Sequence, residues 1–190
     1  MFRSWFKTLS SLQKKGLSLL LFGSFFLFLF FSFQAYQFFQ QNRLAFSQTP
    51  ALTTEIKEEE IPQRIIIPQI SLDLTITPAK IVNNHWQTSE EGASYLLGSG
   101  IPGQKGNVIL YGHNKQLLLG PIRWLKEGEE IKIINRRGEE YIYSIVQTKT
   151  VTPETVEILA PSEEAVLTLY TCTGFLDRER WVIVAQLHSE

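Results

Sequence analysis

Two patterns of hydrophobic and polar residues divide the chain. Between Leu17 and Phe33 the sequence is almost continuously apolar, LSLLLFGSFFLFLFFSF. With the following QAYQFFQ, this run reaches the ~20 residues that a helix needs to cross ~30 Å of hydrocarbon. Beyond residue 61, short β-rich runs alternate with turn residues. The pattern predicts a transmembrane helix at 17–39 and a folded domain at 62–190.

The β-rich runs are RIIIP, ISLDLTI, NVILYG, EIKIIN, EYIYSIVQTKTV, AVLTLYTC and RWVIVAQL. Many short strands with turn signals between them favour an all-β barrel or sandwich. VNNHW and INRRGEE predict hairpin turns, whereas GASYLLGSG and GPIRWLKEG predict short helical turns between strands.

The apolar run has a second interpretation, a cleaved signal peptide. The apolar region of a signal peptide typically has ~7 to 15 residues and ends at a small-residue cleavage site. QAYQFFQQNR offers no such site, so an uncleaved anchor in membrane lipid is favoured.

Charge predicts how this anchor is oriented. Arg3, Lys7, Lys14 and Lys15 precede the helix, and Arg43 alone follows it closely. By the positive-inside rule, residues 1–16 form a cytoplasmic segment and the rest faces outward. Residues 40–61 have turn-forming and charged residues without strand alternation, and they predict an extracytoplasmic stalk.

Composition excludes some functions for the outer part. All nineteen acidic residues and only thirteen of the eighteen basic residues follow residue 50, which leaves this part with a net charge of −6. We therefore expect no nucleic-acid binding. One cysteine and three widely spaced histidines give no compact zinc-ligand spacing, so neither a metal nor a cofactor is expected.

Cys172 is the only cysteine of the chain. A free cysteine is usually a small buried hydrophobe, but outside the cell an unpaired one can also be a reactive thiol. A thiol nucleophile needs a partner, because an ordinary thiol with a pKa near ~8.5 is mostly protonated at neutral pH. His113 directly follows the apolar strand NVILYG and is better placed for this role than His85, in a predicted turn, or His188 near the C-terminus.

Three motifs resemble those of the sortases, the bacterial cell-surface cysteine transpeptidases. TLYTC matches the TLxTC signature, YGHN matches the histidine segment, and RWVIVAQL matches the closing strand that begins with arginine. IPQISLDLTI and SGIPGQKGNVILYGHN are similar to the opening strands, so the resemblance covers residues 62–188. It implies a sortase-like closed β-barrel with short helical turns.

The resemblance also implies roles. Cys172 is the nucleophile, His113 is its acid/base partner, and Arg180 positions the substrate and stabilises the oxyanion. Arg178 is the competing arginine, but it lies inside the turn FLDRE, whereas Arg180 opens a strand. The remaining predicted substrate-binding residues are Thr171, Val156, Ile158 and Leu159, and the last three could equally be core residues.

Sortases cleave the Thr–Gly bond of an LPxTG-like signal in secreted surface proteins and transfer the acyl group to an amine. The resemblance therefore implies an amine acceptor such as a cell-wall precursor or a pilin lysine. The absence of a second hydrophobic span and of a recognisable aspartate-proline-aromatic lid favours protein anchoring over pilin polymerisation. The sequence does not identify a calcium site. Two alternatives stay open: a membrane-anchored cysteine protease that only hydrolyses, and a non-catalytic surface module with a structural Cys172.

Overall fold

A computed structural model describes residues 11–41, 44–52, 54–83 and 85–188. The chain divides into two units, Met1–Gln40 and Gln41–Glu190, which we describe separately. Arg3, Lys7 and Arg43, which contribute to the predicted orientation, lie outside the described residues.

The first unit is helix α1, Ser11–Gln41. Its segment Lys15–Tyr36 has 22 residues and a mean hydropathy of 2.2, and none of its apolar window is buried against protein. The exposed side chains are leucines and phenylalanines, whose burial in an apolar medium is favourable. By length and composition, the helix fits a single-pass membrane anchor.

The second unit is a closed barrel of eight strands in the order β1-β2-β5-β6-β9-β10-β8-β7. Its strands are β1 Pro62–Ile67, β2 Leu72–Ala79, β5 Ala93–Leu96, β6 Gly106–Gly112, β7 Glu130–Asn135, β8 Glu140–Val151, β9 Ala165–Thr173 and β10 Glu179–Leu187. Short 3₁₀ turns connect several of them. This architecture confirms the predicted all-β fold and its closed barrel, and the described residues include one N-terminal helix that is apolar enough to span a membrane.

A separate hairpin, β3 Ile81–Val82 with β4 His85–Trp86, packs outside the barrel sheet. It occurs where VNNHW predicts a hairpin. His85 opens β4, paired with Val82, and does not lie in the turn itself as predicted.

One predicted helical turn is wrong. GASYLLGSG contains strand β5, which pairs in parallel with β2 and antiparallel with β6. All four residues of β5 are buried. A short run buried on both faces shows no period-2 alternation, and periodicity alone cannot separate it from a helical segment. The helical turn predicted at GPIRWLKEG is present as Gly120–Trp124.

Side chains from alternate strand positions pack on two sides of the barrel wall. The inner core fills the barrel with aliphatic and tyrosine side chains that include Ile65, Tyr95, Leu110, Ile133, Tyr143, Leu169 and Ile183. An outer cluster lies against β6, β9 and β10, and its buried members are Leu44, Phe46, Ala79, Trp86, Leu96, Ile109, Tyr111, Leu159, Tyr170, Cys172 and Val182. The cysteine therefore belongs to the outer cluster.

The inner core generates a stability prediction. Leu169 is fully buried, so Leu169→Ala should lower the free energy of unfolding by about 2 to 5 kcal/mol through lost burial and the cavity left behind. Urea denaturation of the full-length protein in detergent, followed by tryptophan fluorescence, measures this change. Leu117→Ala is the matched control, because Leu117 is 87% exposed and its loss should change stability by less than about 0.5 kcal/mol. Equal effects of the two changes would contradict the assignment of Leu169 to the core.

Candidate active site

Three neighbouring strands, β6, β9 and β10, bring the predicted catalytic residues together. Arg180 on β10 is the register partner of Cys172 on β9, and residues directly opposite in an antiparallel pair share a face of the sheet. Gly112, the last residue of β6, is the register partner of Thr171 on the parallel strand β9. His113 follows Gly112 directly, so it leaves its strand beside Cys172.

Cys172 faces the outer cluster because it alternates along β9 with residues that point into the barrel. Leu169 and Leu167 belong to the inner core, whereas Tyr170 and Cys172 belong to the outer cluster. The cysteine is only 3% exposed. Its surroundings are largely aromatic and aliphatic, and access to the sulfur depends on what covers this cluster.

Arg180 is 2% exposed, which is rare for a charged side chain. Main-chain carbonyls compensate its burial: one terminal nitrogen donates to Asp177 and Glu179 at 2.9 Å each, and the other donates to Ala45 at 2.8 Å. The buried Nε–H has no hydrogen-bond acceptor among the described residues. Such an orphan donor costs free energy, and it can bind an acceptor that enters the site.

The two candidate arginines occupy different environments. Arg178 is exposed in the turn between β9 and β10, after Leu176 and Asp177, both of which have positive φ. Arg180 is held on the strand next to Cys172. Of the two, the structure brings Arg180 to the cysteine.

His113 contacts a carboxylate that the motifs do not include. Its Nε2 lies 3.0 Å from Oε1 of Glu90, and the other carboxylate oxygen accepts from Nζ of Lys115 at 2.9 Å. The His113 side chain is 20% exposed. Because Glu90 belongs to the loop between β4 and β5, 23 residues before His113, no local sequence signal pairs them.

The charge of Glu90 is set by these neighbours. The hydrogen bond from Lys115, together with the electrostatic influence of His113 and Lys115, lowers the pKa of the Glu90 carboxyl below its usual range. The carboxylate therefore stays ionised to a lower pH than an ordinary glutamate, and the contacts it makes are lost only as the pH falls through that lowered pKa.

Thr171 lies on the opposite face of β9 from Cys172. It is buried, and its hydroxyl donates to the carbonyl of Gly112 at 2.7 Å. This bond ties β9 to the end of β6, one residue before His113. The structure thus does not bring the Thr171 hydroxyl to the face of the cysteine.

Val156, Ile158 and Leu159 lie in the 3₁₀ turn Val156–Leu159 of the loop between β8 and β9. Val156 and Ile158 are half-buried against the outer cluster, whereas Leu159 is a buried member of it. The side-chain amide of Asn107 fixes the loop by donating to the carbonyls of Ile158 and Ala160, at 3.0 and 3.1 Å. Val156 and Ile158 therefore retain surface for a ligand, and Leu159 has almost none.

The N-terminal segment, defined as Leu44–Ser47, also reaches the site. Leu44 and Phe46 are buried in the outer cluster together with Cys172. The Phe46 ring packs edge-on against Tyr170, with ring centroids 5.1 Å apart, and the guanidinium carbon of Arg180 lies 5.9 Å from its centroid. The sequence places these residues in a stalk and gives no indication of this contact, because a run of three apolar residues is too short to show a period.

Comparison with known proteins gives a consistent result. The family model of the sortase domain matches residues 65–188. Sortase A of Listeria monocytogenes is 27% identical over 152 residues, which cover 75% of this chain and 66% of that protein. Sortase A of Streptococcus agalactiae is 27% identical over 155 residues, or 76% and 61% of the two chains. The chain thus spans less than two thirds of the length of each relative.

Solved structures share the fold. A crystal structure of Listeria monocytogenes sortase A superposes with a TM-score of 0.57 at 26% identity, covering 68% of this chain and 88% of that one. A Clostridium perfringens sortase D5 transpeptidase has a TM-score of 0.59 at 24% identity, with 71% and 83% covered. At 24% identity, the similarity to the sortase D5 structure supports the fold alone.

The carboxylate beside His113 generates a second prediction. Lys115→Ala should raise the pKa of Glu90 toward the ordinary value of ~4.3, because it removes the largest cause of the lowering. Carboxyl-detected NMR titration of labelled glutamate measures this pKa. Lys105→Ala is the control, since Lys105 precedes β6 at the end far from His113. A Glu90 pKa that is the same in wild type and in Lys115→Ala would contradict the described ion pair.

Proposed function

Because the chain belongs to the sortase family, we propose that it is a membrane-anchored cysteine transpeptidase that cleaves an LPxTG-like signal through a thioester. The observation that carries this proposal is the register pairing of Cys172 with Arg180 beside the strand end that bears His113. A nucleophile, a proton-transfer group and a fixed cation on one face are the groups that acyl transfer requires.

The first half-reaction forms the acyl-enzyme. The Cys172 thiolate attacks the carbonyl carbon of the signal's threonine, so a C–S bond forms and the carbonyl electrons move to oxygen. The developing oxyanion accepts from Arg180, whose Nε–H has no acceptor in the part of the chain that the structure describes. When the C–N bond breaks, the leaving glycine amine takes a proton from His113, and a thioester remains on Cys172.

The second half-reaction resolves the thioester. An amine attacks the thioester carbonyl and forms a new amide bond, while the sulfur leaves as a thiolate. His113 accepts the proton that the amine loses, which restores the starting state. Water in place of the amine would give hydrolysis through the same steps. Product analysis with and without an added amine therefore separates transpeptidation from proteolysis.

The acyl donor is held between β9, β10 and the loop that precedes β9. Val156 and Ile158 are half-buried on this loop and offer apolar contacts to the signal's leucine and proline. Leu159 and Thr171 support the site from buried positions, Leu159 in the outer cluster and Thr171 through its bond to Gly112. The proposed donors are secreted surface proteins with an LPxTG-like C-terminal signal, and the acceptor is a cell-wall precursor or a pilin lysine.

Residues 17–39 anchor the enzyme in this proposal. Residues 1–16 are cytoplasmic, and residues 40–61 connect the anchor to the catalytic domain. Residues 62–190 form this domain, which attaches surface proteins to the cell wall outside the membrane. The support is the apolar helix, which has the length and hydropathy of a membrane span.

The catalytic assignment predicts which side chains are essential. Cys172→Ala and His113→Ala should each abolish release of the tail from a sorting-signal peptide, because each removes a group that takes part in bond exchange. His85→Ala and His188→Ala are matched controls and should leave turnover within several-fold of wild type. His85 lies in the β3–β4 hairpin and His188 follows the end of β10 far from Arg180.

Mass spectrometry of the protein and the peptide follows both the acyl-enzyme and the released tail. Circular dichroism checks that each variant is folded. Substantial tail release by Cys172→Ala would exclude the covalent mechanism.

The arginines provide a second functional prediction. Arg180→Ala should lower kcat/KM for a sorting-signal peptide by on the order of 10² or more, the usual scale for losing a directed oxyanion donor. Arg180→Lys should retain only part of the wild-type kcat/KM, because lysine keeps the positive charge but lacks the planar set of donors of the guanidinium. Arg178→Ala is the matched control and should stay within several-fold of wild type. If Arg178→Ala instead shows the large loss of kcat/KM, the catalytic arginine is Arg178 in the turn and not Arg180 on β10.

A further inference from the structure

We propose that Asn107 is a positioning residue for the acyl donor: its side-chain amide holds the loop between β8 and β9 in the conformation that selects the leucine of the sorting signal. The role of this loop in donor binding rests on the proposed function, whereas the contact between Asn107 and the loop is a feature of the fold. Asn107 is the second residue of β6, so it lies at the opposite end of this strand from His113.

The Asn107 amide binds two main-chain carbonyls of the loop. Its Nδ2 donates to the carbonyls of Ile158 and Ala160, at 3.0 and 3.1 Å, on either side of Leu159. The Ile158 carbonyl also accepts from the hydroxyl of Thr168 at 3.4 Å, so both of its lone pairs are used. Asn107 and Thr168 are only 6% and 1% exposed, which limits competition from water. Buried donors on two neighbouring strands, β6 and β9, thus fix the loop.

The loop is the only hydrogen-bond partner of the Asn107 side chain among the described residues. Its Oδ1 is buried and accepts no hydrogen bond from the part of the chain that the structure describes. The two carbonyls can only accept, so they require the amide nitrogen on their side. A cavity of about 40 Å³ adjoins Asn107, and Leu159 and Pro161 of the loop also line it. Packing under the loop is therefore incomplete at this point, and the hydrogen bonds from Asn107 determine where the loop lies.

The distance of this contact from Cys172 matches the length of a sorting signal. Thr168 and Cys172 lie on the same face of β9, because an even number of positions separates them. Four residues of a strand span about 13 Å, and the three steps from leucine to threonine in an extended LPxT sequence span about 10 Å. A signal whose threonine carbonyl lies at Cys172, and whose chain runs along β9 toward Thr168, therefore places its leucine beside the loop segment Val156–Leu159.

A fixed loop gives the leucine pocket a fixed size. Val156 and Ile158 are half-buried and retain surface for the leucine. An apolar pocket distinguishes side chains that differ by one methylene group by about 10- to 200-fold. Loss of the Asn107 amide leaves the loop free to shift, so leucine binds less tightly and a smaller side chain is rejected less. The proposed nucleophile and proton-transfer group lie at the other ends of β9 and β6, so kcat should change little.

Asn107→Ala in the full-length protein tests the proposal with three peptides: an LPxTG-like signal, the same peptide with alanine for leucine, and the same peptide with serine for threonine. KM for the leucine peptide should rise about tenfold, with kcat within about twofold of wild type. The ratio of kcat/KM between the leucine and alanine peptides should fall by about the same tenfold factor. Discrimination between threonine and serine should be unchanged, because the threonine lies at Cys172 and not at the loop.

Asn107→Leu separates hydrogen bonding from packing. Leucine has a volume similar to that of asparagine but donates no hydrogen bond, so this variant should lose discrimination at the leucine position as Asn107→Ala does. Wild-type KM and discrimination in Asn107→Leu would overturn the proposed role of the amide.

Asn135→Ala is the matched control. Asn135 is also buried, at 2% exposed, and its side-chain amide also holds a turn. Its Nδ2 donates to the carboxylate of Glu139, and its Oδ1 accepts from the main-chain N–H groups of Arg137 and Glu139. This turn joins β7 and β8 and is not part of the loop that Asn107 holds. The change should lower stability in urea denaturation without altering KM or discrimination at the leucine position.

Hydrogen–deuterium exchange distinguishes failure of this inference from failure of the proposed function. Asn107→Ala should speed exchange of the main-chain amides at 155–161 and leave those of β9 unchanged. Equal exchange of the loop in wild type and Asn107→Ala would overturn the inference, and so would unchanged discrimination at the leucine position. If wild type turns over no sorting-signal peptide, the proposed function fails, and exchange still decides whether Asn107 holds the loop.

Thr168→Val provides a second variant in case circular dichroism shows that Asn107→Ala does not fold. It removes the other side-chain donor to the Ile158 carbonyl and keeps nearly the same side-chain volume. The same changes in exchange and discrimination should follow, with a smaller size because the bond is longer. Wild-type exchange and wild-type discrimination in Thr168→Val would then overturn the inference.

Discussion

The guanidinium of Arg180 is buried almost completely, and the geometry of the site depends on how this charge is accommodated. An unpaired charge inside a protein is prohibitively costly, so the surrounding chain must supply acceptors. It does so with the carbonyls of Asp177, Glu179 and Ala45, which come from the turn before β10, from β10 itself and from the N-terminal segment. Satisfying one charge therefore fixes the positions of three chain segments around Cys172. The Nε–H, which has no acceptor among the residues that the structure describes, keeps one donor available.

The site is built on the outside of a barrel whose interior is already complete. Leu169 and its neighbours fill the inside, so the residues around Cys172 do not have to maintain the barrel. The outer face, however, is largely apolar and must be covered by the β3–β4 hairpin, the loop before β9 and the N-terminal segment. A largely apolar face of this kind is suited to bind a peptide, because contiguous apolar surface favours an apolar ligand.

Most of the fold could be predicted from the sequence because strands leave local signals, and the proposed catalytic assignment rests on local motifs as well. Strands β7 and β8 have the predicted limits, and the strands bearing Cys172 and Arg180 differ from prediction by one residue at one end. Strand β5 was missed, since a run buried on both faces has no alternation. The sequence does not reveal Glu90 and Phe46 for another reason, because their partners are distant in the chain. Glu90 lies 23 residues from His113. Ala45, next to Phe46, lies 135 residues from Arg180. Such contacts follow from how loops and the N-terminal segment pack on the finished barrel, which no local pattern encodes.

The place of β10 in the barrel has a consequence for how the protein is made. It lies between β8 and β9 and pairs with both, so the barrel cannot close before the last strand has been synthesised. A nascent chain that ends before residue 179 carries the thiol on an open sheet, without Arg180 beside it. Strands β8 and β9 then each have one unpaired edge, and such edges favour aggregation. Closure joins residues far apart in the chain, and such contacts form slowly. Assembly of the surroundings of Cys172 is thus coupled to the synthesis of β10, and a chain without this strand lacks the proposed active site.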